Sequence, residues 1–590
     1  MRTRTRIKAS MWTWSGVAML LLLSVRIFGA TITVTTTGDS GPGSLRAAIA
    51  SAANGDTINF SLTLPTVIVL STPITIGTSV TIAGPGTTLA ISGGDSVGVL
   101  IVNTGATVAI SNLTIEHGSS LLGGGISNGG TLTLTDVTVS FNTQGTQLGG
   151  GIFNSGALIL SFCSVYGNSA GFGVASMSGE TGFGGGIYNY GEGGGGKLTL
   201  INGSSVSGNS ANQGLTGYPS GGAIYNDKGQ VTLVNSLITN NTLNGPANNY
   251  VGDGGGIMND GGTVNVTDST ISGNSADFGG GIYIKSGTAT VTNSTFFGNI
   301  AGDDGGGIYS VYPGPLNVSF STFVSNAAGV KGGGIDAGGL TLKNSILAEN
   351  GEGNCASDSS FSSSTSDGYN LSDDVTCGFF FTAPGDFSNP VLNPRFDPSG
   401  LQFNGGQTLT VALQANSPAV NYIPLSSCTD TSGNPVTTDQ RGVSRPQGSG
   451  CDVGAYELVE MAGTVPASGN ECNGVFNGTF RGNIIVSNGQ SCTFIGGGIT
   501  GNVTQTGGKL VTRNATIGGK LEISGGGTSS IATTTIGGDF QIQNVPSGAA
   551  QNQNCGANVK DNLQFHNRCP DSGLIENPAH EEKRALPKTQ

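Results

Sequence analysis

Residues Gly254–Asn274 read "GGGIMNDGGTVNVTDSTISGN", and Gly279–Asn299 read "GGGIYIKSGTATVTNSTFFGN". Both stretches open on a glycine run, ration their apolar residues (Ile257, Val264, Val266 and Ile271 in the first) and close on asparagine. The same glycine run begins at Gly123, Gly149, Gly184, Gly221, Gly305 and Gly332, and the shortest spacings are 25 to 27 residues. A period in this range, with only strand-length apolar patches between turn residues, signals a β-solenoid and not a helical repeat. Each unit supplies three short strands, enough to close a triangular coil with its apolar residues toward the axis. One coil cannot bury them alone; stacking, strand over strand at about 4.8 Å, makes a single long core.

The polar residues then acquire roles. Corners between strands need left-handed backbone, which glycine adopts freely and asparagine tolerates. Asn128, Asn154, Asn189, Asn226 and Asn259 recur five residues after the glycine run begins, and Asn142, Asn168, Asn209, Asn241, Asn274, Asn299, Asn326 and Asn350 recur at the end of the coil. Stacked amides of this kind bond from rung to rung in cross-β ladders; an Asn-lined ligand site is the alternative. Cys163 falls in the column of Ser236, Ser269, Ser294 and Ser345, where a small buried thiol is a better reading than a reactive one. The wider spacings after Gly149, Gly184 and Gly221 imply inserted loops, among them Gly173–Phe183 and Leu243–Asp253.

Composition agrees with a solenoid. The 590 residues include 103 glycines with no three-residue period, which excludes collagen, and 36% hydrophobic against 10% charged residues is unlike a charged disordered chain. Because a solenoid grows along one axis, length counts rungs, not domains. Arg2, Arg4, Arg6 and Lys8, then "GVAMLLLLSV" (Gly16–Val25) and "IFGA" ending at Ala30, form an export signal, with an uncleaved anchor as the alternative. Beyond it no stretch is apolar enough for a membrane-spanning helix. Cleavage removes five basic residues and no acidic ones, taking the formal charge from −13 to −18, so nucleic acid is not an expected partner. Nine cysteines in an exported chain read as disulfides plus one thiol. Eight lie in local pairs, Cys355 with Cys377, Cys428 with Cys451, Cys472 with Cys492 and Cys555 with Cys569. Short loops make this the economical pairing, and other connectivities stay open.

Both ends have their own signatures. Ser44 is a fitting N-cap for "LRAAIASAA" (Leu45–Ala53) before a stop at Gly55, a helix placed to cover the first coil's open edge. Past Glu457 a second, tighter period follows, with Phe480, Ile499, Ile517 and Ile536 at 18 to 19 residues and "TIGGKLEI" (Thr516–Ile523) restated as "TIGGDFQI" (Thr535–Ile542). The organisation expected is a signal peptide over 1–30, a parallel β-helix over 31–458 with an N-terminal cap and a C-terminal closing segment, and a linker over 459–470. A small β-solenoid over 471–570 and a disordered tail over 571–590 complete it.

Several motifs resemble a known group. "GGAI" (Gly221–Ile224), "FFGN" (Phe296–Asn299) and "FVSN" (Phe323–Asn326) resemble the repeats of polymorphic outer membrane proteins of bacterial surfaces. "TITVTTTGDSGPGSLRAAIASAANGDTINF" (Thr31–Phe60) resembles the opening segment of exported bacterial β-helix proteins, and Asn416–Glu457 resembles the closing segment of choice-of-anchor Q domain proteins. The resemblance implies a right-handed single-stranded parallel β-helix of the pectin-lyase-like kind, secreted or displayed at the cell surface, with no biochemical activity common to the group.

Enzymatic readings meet chemical objections. β-Elimination on an acidic sugar needs a base and cations holding the uronate. Between Arg46 and Arg395 there is no arginine, and the lysines there (Lys197, Lys228, Lys285, Lys331, Lys343) form no evident column. A glycosidase needs two carboxylates; Asp303 with Asp304, or Asp253 with Asp277, are the candidates, although Asp beside Gly at a corner is a turn former first. His117 reads as a solvated loop residue, and His566, between Cys555 and Cys569, reads as neighbour to a disulfide and not as a metal ligand. Tyr188, Tyr225, Tyr283 and Tyr309 directly follow the inward Ile and are expected to form an outward aromatic row; stacking on glycans is one reading of it, and good strand formers placed on a sheet face is the other. No cofactor is expected, Ca²⁺ being the one metal that clustered Asp could hold. The reading is an adhesive or structural protein with polysaccharide or cell-surface glycan as partner, and the alternative is a polysaccharide-active glycosidase or lyase using carboxylates on the helix wall.

Overall fold

The computed structural model describes residues 29–143, 147–171, 181–214, 217–245, 252–311, 314–356 and 363–459, and, further on, 472, 474–476, 479–480, 482–495, 498–513, 515–524, 528–543, 555–559 and 563–565. The export signal up to residue 28, the linker from residue 460 and the tail lie outside them, as do Cys569 and the Cys555 side chain. The protein is a right-handed parallel β-helix. Each coil contributes one strand to each of three faces. The first face runs through Ile126–Asn128, Ile152–Asn154, Ile187–Tyr190 and Ile224–Asp227. The second runs through Ala157–Ser161, Lys197–Ile201 and Gln230–Val234, and the third through Ser164–Tyr166, Ser205–Ser207 and Leu237–Thr239. In the two coils quoted above, the first two faces merge into unbroken strands, Ile257–Thr267 and Ile282–Thr292.

The register follows the sequence repeat. Val264 lies over Ala289, Val266 over Val291 and Ile271 over Phe296, and all six are buried in one axial core. Phe296 stacks in turn on Phe323, with ring centroids 4.5 Å apart. Cys163 also lies inside; burial pushes its thiol up to about 11, and its N–H donates to Ser204 Oγ in the serine column. A feature that the sequence reading misses is a short fourth ribbon, Ser169–Ala170, Ser210–Asn212, Thr242–Asn244, Ser275–Ala276 and Ile300–Ala301, over a small core of Ala211, Leu243 and Ala276.

Two asparagine ladders run up the corners. In the first, Asn128 Nδ2 donates to Asn154 Oδ1, Asn154 to Asn189, Asn189 to Asn226 and Asn226 to Asn259, each at 2.8 Å. It ends where Ile284 takes the next position and Asn259 turns to the Ser286 carbonyl. The second runs from Asn142 through Asn168, Asn209, Asn241, Asn274, Asn299 and Asn326 to Asn350 at 2.8–3.0 Å.

The helix is sealed at both ends. Leu45–Ser51 is helical, Ser44 Oγ accepts from the Ala47 N–H, and Leu45 and Ile49 join the axial core. At the far end the Cys355–Cys377 disulfide and Phe380 belong to the same core, so the plug is built from "CGFFF". The closing segment lies elsewhere than the top of the coil. Residues 404–458 turn back and lie as a strap along the third face, tied internally by Cys428–Cys451. Thr270 Oγ1 donates to the Leu409 carbonyl, Thr295 Oγ1 to Gln440 Oε1, and the Ala455 N–H to Thr322 Oγ1. These outward threonines are buried beneath it. Further along the chain, Phe480, Ile499, Ile517 and Ile536 stack in register in a second parallel solenoid, which has its own core and the disulfide Cys472–Cys492. Among the described residues no helix is long and apolar enough to cross a membrane.

Val266 is fully buried between like residues, so Val266→Asp places an unpaired charge on the axis. It should lower unfolding free energy by roughly 3–5 kcal/mol, read by denaturant titration, whereas the same change at exposed Leu121 should be nearly neutral.

Candidate functional site

The first face carries the tyrosines singled out above, and Asp253 and Asp304 lie in the column that leads into it. Its outward column reads Ser127, Phe153, Tyr188, Tyr225, Met258, Tyr283, Tyr309 and Asp336. A tight turn leads into each strand: Gly221 has φ +67°, and a Cβ there would stand 2.5 Å from the Ile224 carbonyl oxygen. Residues just ahead of the glycine runs fold back over the column. Phe183 meets Tyr225 edge-on at 5.3 Å, and Phe278 stacks on Tyr309 at 5.4 Å.

The tyrosines therefore point away from the axis but do not form an open platform. Tyr188 and Tyr225 lie parallel with centroids 5.1 Å apart, Phe153 stacks on the other side of Tyr188, and Tyr283 lies against Tyr309. Tyr188 keeps 7% of its surface and Tyr283 9%. The physical reason is geometric. Side chains one rung apart along a parallel sheet face each other, so their ring faces are used on one another and only edges turn outward.

The phenol edges meet carboxylates. Tyr188 Oη donates to Asp227 at 2.9 Å, and Tyr225 Oη donates to Asp260 at 3.1 Å. Lys285 Nζ also reaches Asp260, at 2.7 Å. Burial first, then the adjoining carboxylates, raises the phenols of Tyr188 and Tyr225 above their usual range. Asp253 lies in the overlying column, bridged to Ser220 and Phe278. Burial pushes it up to about 6; Lys285 opposes that rise, and Asp277 and Asp260 add to it.

Asp277 and Asp303 occupy one corner position on successive rungs, the Asp303 N–H donating to the Asp277 carbonyl at 2.8 Å. Burial and Asp303 raise the Asp277 carboxyl. Asp304 sits in the neighbouring column, bridged to Lys331, so Asp303 and Asp304 are not a facing pair. His117 stands at a left-handed corner, half exposed, with Nδ1 3.1 Å from Asp95 Oδ1. The groups that the sequence reading misses are Asp227 and Asp260, and Lys285, read there only as one of five scattered lysines, pairs with Asp260. The repeated "YND" and "MND" ahead of the second face carried the signal for the two aspartates. Among the described residues no group of three or more His, Cys, Asp or Glu is arranged to hold a metal ion.

No family model and no curated protein matches the chain, so the likeness to polymorphic outer membrane protein repeats and choice-of-anchor Q proteins rests on its motifs alone. Among solved structures it is similar to the pectate lyase Pel9A, at 17% identity over 72% of this chain and 96% of that one, with a TM-score of 0.39. It is also similar to the alginate lyase AlyGC, at 11% identity over 91% of this chain and 80% of that one, with a TM-score of 0.35. The parallel β-helix class rests on this chain's own strand register, and at such similarity nothing is carried across from either structure.

If the tyrosine row is packed structure, its truncation costs stability. Tyr188→Ala should lower the unfolding free energy by about 3 kcal/mol, as for a buried aromatic residue. A change within about 0.5 kcal/mol, the effect of trimming an exposed side chain, would restore the open platform.

Proposed function

We propose that this is a secreted or surface-displayed β-helix with an adhesive or structural role, one that contacts glycans along its first face without cleaving them. The observation that carries this is the engagement of the lysines of the helix wall. Lys228 pairs with Glu192 at 3.6 Å, Lys285 with Asp260 at 2.7 Å and Lys331 with Asp336 at 3.1 Å, and Lys343 donates to Thr429 in the strap. Lys197 is exposed on the second face. These lysines form no row to hold a polyuronate and offset the charge that develops in its elimination. Glycan contact fits the edge groups Asp227, Asp260 and Lys285, whose donors and acceptors suit hydroxyl-rich ligands. The disulfides and the export signal support an oxidising, extracellular setting.

A second reading has one observation in its favour. Asp253, raised to about 6 beside Asp260 and Asp277, has the environment of a general acid paired with a carboxylate. Both readings are tested by incubating the purified protein with neutral and acidic polysaccharides. We expect no new reducing ends and no unsaturated product, while Asp260→Asn and Lys285→Met weaken retention on a glycan affinity column several-fold. Cleavage that Asp253→Asn abolishes in a folded protein would replace the scaffold with a glycosidase.

A further inference from the structure

The strap holds within itself a buried ion cluster whose charges do not balance, and that cluster faces the helix at Asp268 and Phe320. Arg445 Nη1 bonds Glu457 Oε2 at 2.8 Å and the Asp452 carbonyl, while its guanidinium lies 4.6 Å over the Phe320 ring. Arg441 clamps Asp439 Oδ2 through Nε and Nη2 at 2.8 and 2.6 Å and lies 3.5 Å over Tyr456. Two further carboxyls share the space. Asp452 accepts the backbone N–H groups of Asn421 and Leu458. Asp268, on the helix beneath, faces Asn293 from the next rung and Asp439 and Arg445 from the strap. Its Oδ1 is buried without a hydrogen-bond partner among the described residues, and so is Arg445 Nε.

Four carboxyls thus stand against two guanidiniums; Asp439, Asp452 and Glu457 are buried, and Asp268 is partly exposed with its Oδ1 buried. An uncompensated ion there costs several kcal/mol, and a carboxyl so placed is more stable holding its proton. Asp439 and Glu457 hold the arginines, so the protons belong on Asp268 and Asp452. Burial, the largest cause for each, pushes both up to about 7; Asp439 adds to the rise at Asp268 and Glu457 to that at Asp452, while Arg445 opposes both. Glu457, raised by burial and by Asp439, is held down by Arg445 and by the N–H groups of Asp452 and Gln447.

We propose that the strap is a pH-sensitive clamp, docked most firmly in mild acid and loosened from the third face as pH rises through neutrality. The sign follows from linkage. Asp268 is the carboxyl that spans the joint, on the helix with Asp439 and Arg445 facing it from the strap; a carboxyl that titrates higher when docked than when free adds stability that is fully present below its free value near 4 and is lost as pH rises through its docked value. Loosening uncovers the outward threonines Thr270, Thr295 and Thr322, a strip of sheet surface that docking closes.

Hydrogen exchange of the full oxidised chain from pH 5 to pH 8, corrected for intrinsic rates, tests this. Protection in 404–458 should fall at least about tenfold, the effect of one net proton over one pH unit, while peptides from the uncovered coils at 126–166 keep theirs. Asp268→Asn should flatten the profile and keep the strap protected at pH 8. The substitution suits the backbone, since the same left-handed corner holds Asn235, Asn293 and Asn344. Protection independent of pH, a parallel loss at 126–166, or an undiminished slope in Asp268→Asn would overturn the proposal. If that variant does not fold, Asp268→Gly, which also suits the left-handed corner, is read by the same criterion.

Discussion

The amide-to-amide hydrogen bond between asparagines on successive rungs is the constraint on which this structure depends. In the longer ladder each Asn side chain has three duties: Asn209 donates to Asn241 Oδ1 and to the Val165 carbonyl, and accepts from Asn168. Its own N–H also bonds Asn241 Oδ1. The corner therefore cannot slip by one residue without leaving buried donors and acceptors unpaired, at about 1–3 kcal/mol each. With the corner fixed, Val206 falls under Ile238 and Ile238 under Ile271, and the axial core follows.

The same stacking that makes the core also determines what the outside can do. A parallel register sets like over like, so an outward tyrosine meets another tyrosine before it meets a ligand, and an outward aspartate meets the edge of that ring. The first face is accordingly a wall of mutually satisfied groups, with Asp227, Asp260 and Lys285 at its edge. The third face is closed differently, by a strap whose ends lie far from it in sequence.

This difference explains what could be read from the sequence. The period, the inward residues, both asparagine columns and the second solenoid's register were legible, because each repeats and repetition converts directly into stacking. The helix at Leu45 was legible from its cap. The packing of Tyr188 and Tyr283 was not: alternation tells that a side chain leaves the core, but not that Phe183 and Phe278 fold over the row. Nor was the strap's course, since the bonds from Gln440 to Thr270 and from Asn293 to Thr438 join residues 170 and 145 apart with no periodic trace. The acidic corner was legible as residues, while the division of Asp303 and Asp304 between two columns required the coil's actual turn.

The central claim, that the ladder acts as one coupled unit, is tested most directly by a double-mutant cycle on Asn209→Ala and Asn241→Ala, with unfolding free energies from denaturant titration. Neighbouring rungs should couple by about 1–3 kcal/mol, the second substitution costing less once the first has broken the ladder. Additive effects within about 0.5 kcal/mol would mean that each asparagine serves only its own corner, and the ladder would not be what holds the coils in register.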